Sequence, residues 1–174
     1  MKMQFTYNIF LIGFMGSGKS TVADYLCEKF GMDVVEMDQV IAERERMSIS
    51  DIFEKHGELY FRDLETKLLV ELQEKTNTVV SCGGGVAMRE CNVTEMKKHG
   101  KVVLLIAKPE TILERVENNH DRPLLENNKT VAYIAELMEK RREKYEAAAD
   151  MIIETDGKSA QKICEEMIQR LGEQ

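Results

Sequence analysis

The sequence contains no tryptophan, only two prolines and only three histidines in 174 residues. His56, His99 and His120 are scattered without ligand spacing, so a histidine-held metal is not expected. Cys27, Cys82, Cys91 and Cys164 form no C-x-x-C pair, which excludes a zinc-ribbon pattern. A chain of this length has no need of disulfides, and reduced thiols in a cytoplasm are the expectation. No stretch approaches the ~20 consecutive apolar residues of a membrane span. The opening "MKMQFTYNIFLIGF" has too short an apolar run for a signal peptide, broken by Thr6 and Asn8. A basic stripe is also missing. The net charge is −7, and isolated pairs such as Lys97-Lys98 and Arg141-Arg142 are too short to form such a stripe, so no nucleic-acid partner is expected. There is no internal repeat, low-complexity tract or linker, which predicts a single domain over residues 1–174.

What is present is a regular alternation. Strands are predicted at Tyr7–Ile12, Asp33–Glu36, Thr78–Ser81, Val102–Ala107 and Met151–Glu154. Helices are predicted at Lys19–Phe30, Asp38–Arg46, Glu58–Glu74, Met88–His99, Pro109–Asn118, Val131–Ala148 and Ser159–Leu171. Continuous apolar runs such as "VVLLIA" suit strands buried on both faces. Gly31 and Gly100 fall where helix stops are expected, and Pro109 suits a helix start. The alternation implies an α/β fold with a parallel sheet covered on both faces, whose ligands bind beyond the carboxyl ends of the strands.

The first strand runs into "GFMGSGKST", where Gly13, Gly18, Lys19 and Ser20 fit G-x-x-x-x-G-K-[ST]. Such a loop turns backbone N–H groups toward phosphate at a helix N-terminus. Gly13, Gly16, Ser17, Gly18, Lys19, Ser20 and Thr21 are therefore the expected nucleotide contacts. Lys19 would reach the β- and γ-phosphates, and Ser20 would ligate Mg²⁺.

Glu36 and Asp38 lie just past the second strand. A carboxylate there can take a proton from an attacking hydroxyl, or hold Mg²⁺ through water; Asp38 could equally cap the next helix. Ile134, Met138, Arg141 and Tyr145 form one helical stripe, so a guanidinium sits on an apolar face. Arg62 is one turn from Glu65, which could orient it. Two such arginines suit a carboxylate ligand, or else internal ion pairs. Gly83, Gly84 and Gly85 follow the third strand and suggest either a close backbone approach to a ligand or a flexible turn. Ser81 occupies a place where many phosphate-loop proteins carry an aspartate. Arg122, in "HDRPLL", suits a loop that closes over phosphate, or a solvated arginine.

Taken together, "GFMGSGKS" at 13–20, the acidic pair ending at Asp38, "GELYFRDLE" at 57–65, "GGG" at 83–85, "RPLL" at 122–125 and "RREKY" at 141–145 resemble the shikimate kinases. The resemblance runs along nearly the whole chain. It implies a three-layer α/β/α P-loop kinase with a five-stranded parallel sheet of order 2-3-1-4-5. The implied reaction passes the γ-phosphate of ATP to a hydroxyl of shikimate, with Mg²⁺, in aromatic amino-acid biosynthesis. By the same resemblance Asp38 would bind the ring hydroxyls and act as base, while Arg62 and Arg141 would grip the carboxylate. Gly83 to Gly85 would line the floor, Arg122 would meet the ATP phosphates from a lid at about 117–129, and Arg115 would stack near adenine. Residues of about 38–65 would form the substrate-binding region, in a cytoplasmic monomer. Glu36 stands where the family usually has aspartate; its implied role is a water-mediated contact to Mg²⁺. The rivals are another small-molecule kinase, for gluconate or a nucleoside monophosphate, and a non-catalytic nucleotide-binding regulator.

Overall fold

The computed structural model describes residues 4–117 and 130–172. The elements run β1 (Asn8–Ile12), α1 (Lys19–Phe30), β2 (Asp33–Glu36), α2 (Met37–Glu45), α3 (Ile49–His56), α4 (Glu58–Glu71), β3 (Thr78–Ser81) and α5 (Glu90–His99). They continue with β4 (Gly100–Ile106), α6 (Pro109–Val116), α7 (Val131–Ala148), β5 (Met151–Glu154) and α8 (Ala160–Gly172). The strands form one parallel sheet of order β2-β3-β1-β4-β5, as the resemblance implies.

Strand alternation divides the core in two. Phe10 and Ile12 of β1, Val80 of β3 and Val102 and Leu104 of β4 face one side, where they pack with residues of α2, α4, α6 and α7. Ile9, Leu11, Val79, Val103 and Leu105 face the other, where α1 and α8 cover them. All five residues of β1 are buried, because the central strand meets helices on both faces and neighbours on both edges. The register brings Leu11, Ser81 and Glu36 level, so the loops after β1, β2 and β3 leave the sheet at one edge.

Three local differences from the sequence reading have physical causes. Helix α3 was not expected. It is two turns long, capped by Ser48, whose hydroxyl accepts the Asp51 N–H at 3.1 Å, and anchored by fully buried Ile52. Gly100 ends α5 as expected, but unlike Gly31, which ends α1 in a left-handed turn, its backbone is extended and opens β4. Glycine is required there because a methyl group would stand 2.5 Å from the Phe10 ring. Finally, the stretch before α5 is a short 3₁₀ turn, Val86–Met88, so the helix begins at Glu90. Among the described residues, no helix is long and apolar enough to cross a membrane.

Candidate active site

A cavity of about 300 Å³ opens at the carboxyl edge of the sheet. Gly16, Gly18, Lys19, Ser20 and Thr21 form one end, and Asp38, Arg62, Glu65, Gly83 to Gly85 and Arg141 line the remainder. The chain thus brings together segments from the loop after β1, from α2 and α4, from the loop after β3 and from α7.

At the phosphate-loop end, Gly18 has φ 103°, a left-handed conformation that lets α1 begin with its N–H groups toward the cavity. Lys19 is buried and donates to the carbonyl oxygens of Gly13 at 2.7 Å and Phe14 at 3.3 Å. Gly13 and Ser17 do not line the cavity: Ser17 is buried behind the loop, and Gly13 packs on the carbonyl of Leu105. Arg115 lines the cavity beside the loop, donating to the Gly16 carbonyl at 2.9 Å and the Thr155 hydroxyl at 3.4 Å. Beside it Asp156 accepts the Thr111 hydroxyl at 2.6 Å and the Lys108 N–H at 3.2 Å, fixing the loop after β5.

Ser20 Oγ donates to Glu36 Oε2 at 3.1 Å. Burial pushes the Glu36 carboxyl up from its ordinary value, against hydrogen bonds from Ser20 and Ser81 that favour its charged form. Its other oxygen, Oε1, is buried and has no hydrogen-bond partner among the described residues. A cation would satisfy that oxygen. Among the described residues, no cluster of three or more His, Cys, Asp or Glu could hold a metal. One hydroxyl and one carboxylate fit Mg²⁺, which keeps several waters and takes other ligands from phosphate.

Asp38 is the second residue of α2, whose cap position is held by Glu36, so Asp38 is not the helix cap. It faces Gly83, together with Glu65 from α4. A methyl group on Gly83 would stand 2.8 Å from both Asp38 Oδ1 and Glu65 Oε2. The next two glycines repeat the relationship with other partners. A methyl on Gly84 would lie 3.0 Å from Arg141 Nη1, and one on Gly85 would lie 2.7 Å from Arg62 Nη2. The run after β3 is therefore glycine because each position is closely approached by a charged side chain.

Arg62 donates from Nη1 to Glu65 Oε1 at 2.9 Å and from Nη2 to Glu58 Oε2 at 3.1 Å. Its guanidinium carbon lies 5.3 Å from the Phe61 ring centre and 5.9 Å from that of Phe53. Burial pushes the Glu65 carboxyl up to about 7, although Arg62 pulls the other way. Arg141 lies over Phe14 at 5.7 Å and donates to the Tyr145 hydroxyl at 3.4 Å. Neighbouring Arg142 is exposed and pairs with Glu139 at 2.9 Å, as its place off the apolar stripe predicts.

Several parts of the site were missed from sequence. Ile49 and Phe53 line the cavity from α3, the helix that was not expected. Tyr145 was read as a member of the apolar stripe, but its hydroxyl also bonds to Gly84. Asn92 is buried between α4 and the turn after the glycines, donating to the Val86 carbonyl at 2.9 Å and accepting the Thr66 hydroxyl at 2.7 Å. A polar residue facing inward from α5 was the available signal. Arg122 and nearly all of the expected lid lie outside the described residues.

Against known proteins, the family model for shikimate kinase matches residues 15–172. The chain belongs to the shikimate kinase family. A shikimate kinase of Persephonella marina is 45% identical over 94% of this chain and 98% of that protein. One from a Sulfurihydrogenibium species is 43% identical, covering 94% and 97% respectively. The solved structure of the Acinetobacter baumannii shikimate kinase in complex with shikimate superposes with a TM-score of 0.90. It is 33% identical, with 95% of this chain and 92% of that one covered. Membership of the shikimate kinases gives the activity: the chain is an ATP-dependent kinase acting on a hydroxyl of shikimate, in the route to aromatic amino acids.

Proposed function

We propose that the cavity at the sheet edge carries out this transfer in two compartments, one for the phosphates and one for the acid. The observation that carries the assignment is the glycine run, where Asp38 with Glu65, Arg141 and Arg62 meet three consecutive residues within one cavity. One end is built for triphosphate and the other offers two guanidinium groups and a carboxylate, the complement of a hydroxylated carboxylic acid.

ATP takes the loop of Gly16 to Thr21, with Gly13 and Ser17 shaping that loop from behind. Lys19 exchanges its carbonyl contacts for the β- and γ-phosphates. Arg115 flanks the nucleotide on the side of the loop after β5. Mg²⁺ is assigned to Ser20 and Glu36, where it would offset phosphate charge. The contact between Ser20 and Glu36 supports a place for the ion within reach of both.

At the acid end, Arg62 and Arg141 grip the carboxylate of shikimate, and Gly83 to Gly85 form the floor beneath its ring. Asp38 orients the 3-hydroxyl and removes its proton as the γ-phosphoryl group arrives, giving shikimate 3-phosphate and ADP. Glu65 holds Arg62 in its fork. Arg122 is assigned, from its sequence motif alone, to neutralise the moving phosphoryl group. All these groups come from one chain, which supports a working monomer in a single domain; the reaction belongs to a cytoplasmic setting.

The test is ADP release from Mg-ATP by the purified protein with shikimate, gluconate, quinate or CMP. Release with shikimate alone is expected. Release with another acceptor in its place would overturn the acid-end assignment. Arg62→Ala or Arg141→Ala should raise the KM for shikimate roughly 10- to 100-fold, the loss of a charge-assisted contact. Unchanged KM in both variants would overturn the clamp.

A further inference from the structure

Arg141 and the glycine run are joined through a third residue. Tyr145 lies one turn along α7 from Arg141, and only 5% of it is exposed. Its hydroxyl accepts a hydrogen bond from Arg141 Nη1 at 3.4 Å and donates one to the carbonyl oxygen of Gly84. Gly84 itself faces the same guanidinium nitrogen, from which a methyl group would stand only 3.0 Å away. Phenol, guanidinium and glycine backbone thus close a triangle at the edge of the cavity. Among the described residues Arg141 makes no ion pair, whereas Arg62 is held by two glutamates. Arg141 rests over the Phe14 ring, 5.7 Å from its centre, a contact that carries no hydrogen-bond direction of its own. A directional bond to the phenol is what selects one setting of the fork.

We propose that Tyr145 is a positioning residue for the reaction: its hydroxyl aims Arg141 at the carboxylate of shikimate and fixes the height of the Gly84 backbone beneath it. This rests on the assignment of Arg141 to that carboxylate. The chemistry suits the task. The hydroxyl is both acceptor and donor, so it joins a cation to a carbonyl without bringing a competing negative charge to the anion site. Burial pushes the phenol's pKa up from its ordinary value, so it keeps the proton that it donates to Gly84. A carboxylate in its place would hold Arg141 as firmly but would repel the substrate's acid group. The ring belongs to the core cluster around Phe10, Ile12 and Phe14, so Tyr145→Phe preserves packing and removes only the oxygen.

The experiment compares wild type, Tyr145→Phe and Arg141→Ala on shikimate and on its alcohol analogue, in which the carboxylate is replaced by a hydroxymethyl group. The quantity read is the ratio of kcat/KM between the two substrates, or of their Kd values where the alcohol turns over too slowly. Tyr145→Phe should lower this ratio roughly 5- to 30-fold, chiefly through the KM for shikimate, with kcat changed far less. Loss of packing alone would affect both substrates alike. An unchanged ratio in Tyr145→Phe, beside a reduced one in Arg141→Ala, overturns the positioning role and spares the clamp. An unchanged ratio in Arg141→Ala overturns the clamp and this proposal with it. Should Tyr145→Phe fail to fold, Gly84→Ala presses on the same guanidinium nitrogen from the backbone side. It is expected to lower the same ratio, and a ratio left at the wild-type value overturns the proposal.

Discussion

Glu65 and Arg62 stand one turn apart on α4 with Oε1 and Nη1 separated by 2.9 Å, and the Glu65 side chain is fully shielded from solvent. Burial opposes the charge that the arginine favours, and burial wins, leaving the carboxyl at about 7. The folded protein therefore binds this proton more tightly than the unfolded chain does. The stabilising effect is complete below about pH 4.5 and is lost as the pH rises through 7. Its size is on the order of 1–3 kcal/mol. Glu65→Gln cannot ionise and lacks this dependence. The Tm of wild type, measured relative to that of Glu65→Gln, should fall between pH 5 and pH 8; parallel Tm profiles would contradict the assignment.

Gly83→Ala should damage turnover more than binding of the acid. Its methyl would be forced against Asp38 and Glu65 at 2.8 Å, displacing the proposed base. Gly85→Ala presses on the Arg62 guanidinium and should act mainly on the KM for shikimate. The expected fall in kcat/KM is roughly tenfold or more for each, the effect of about 1.4 kcal/mol or more. Steady-state kinetics that show the same split between kcat and KM for both variants would count against the separate assignments.

Glu36→Gln keeps the shape of the side chain and removes its charge. The free Mg²⁺ needed for half-maximal rate should rise about tenfold, with little change in the KM for shikimate. Manganese binding in the presence of ATP, followed by electron paramagnetic resonance, should weaken in parallel. A metal requirement equal to that of wild type would remove Glu36 from the ion's surroundings.

Asn92→Ala should cost about 1–3 kcal/mol of stability, because it removes the amide donor from the buried Val86 carbonyl and the acceptor nearest the Thr66 hydroxyl. Denaturant unfolding measures this directly. A loss below about 0.5 kcal/mol would show that water replaces the amide at little cost. The same variant should raise the KM for shikimate, since Asn92 ties α4, which carries Arg62, to the turn that follows the glycines.

What the sequence revealed depended on the range over which each feature is encoded. The phosphate loop and the pairing of Arg62 with Glu65 are written within a few residues of chain, and helix periodicity exposes them. The sheet order follows from the family resemblance, and the five strands adopt it. Helix α3 was overlooked although Ile49, Ile52 and Phe53 keep the i, i+3, i+4 spacing and Ser48 caps it; the signal is clear but only two turns long. Gly100 was read correctly as the stop of α5, but its need for glycine comes from the Phe10 ring on another strand, which no local rule contains. For the same reason the partners of Gly83, Gly84 and Gly85 could not be read from the run itself. Tyr145 matched an apolar stripe, and periodicity records where a ring lies without recording what its hydroxyl touches.

The hydrogen bond from Tyr145 to Gly84 joins residues 61 positions apart, whereas the bond from Lys19 to Gly13 spans six. Chains are synthesised from the N-terminus, and close contacts form sooner than distant ones. A nascent chain on the ribosome therefore presents the residues of the phosphate loop well before those of α7, which complete the acid end. The donor end is completed no earlier, since α8, which covers α1 behind the phosphate loop, and Thr155, which holds Arg115, both follow α7; each end of the cavity waits for segments beyond β4.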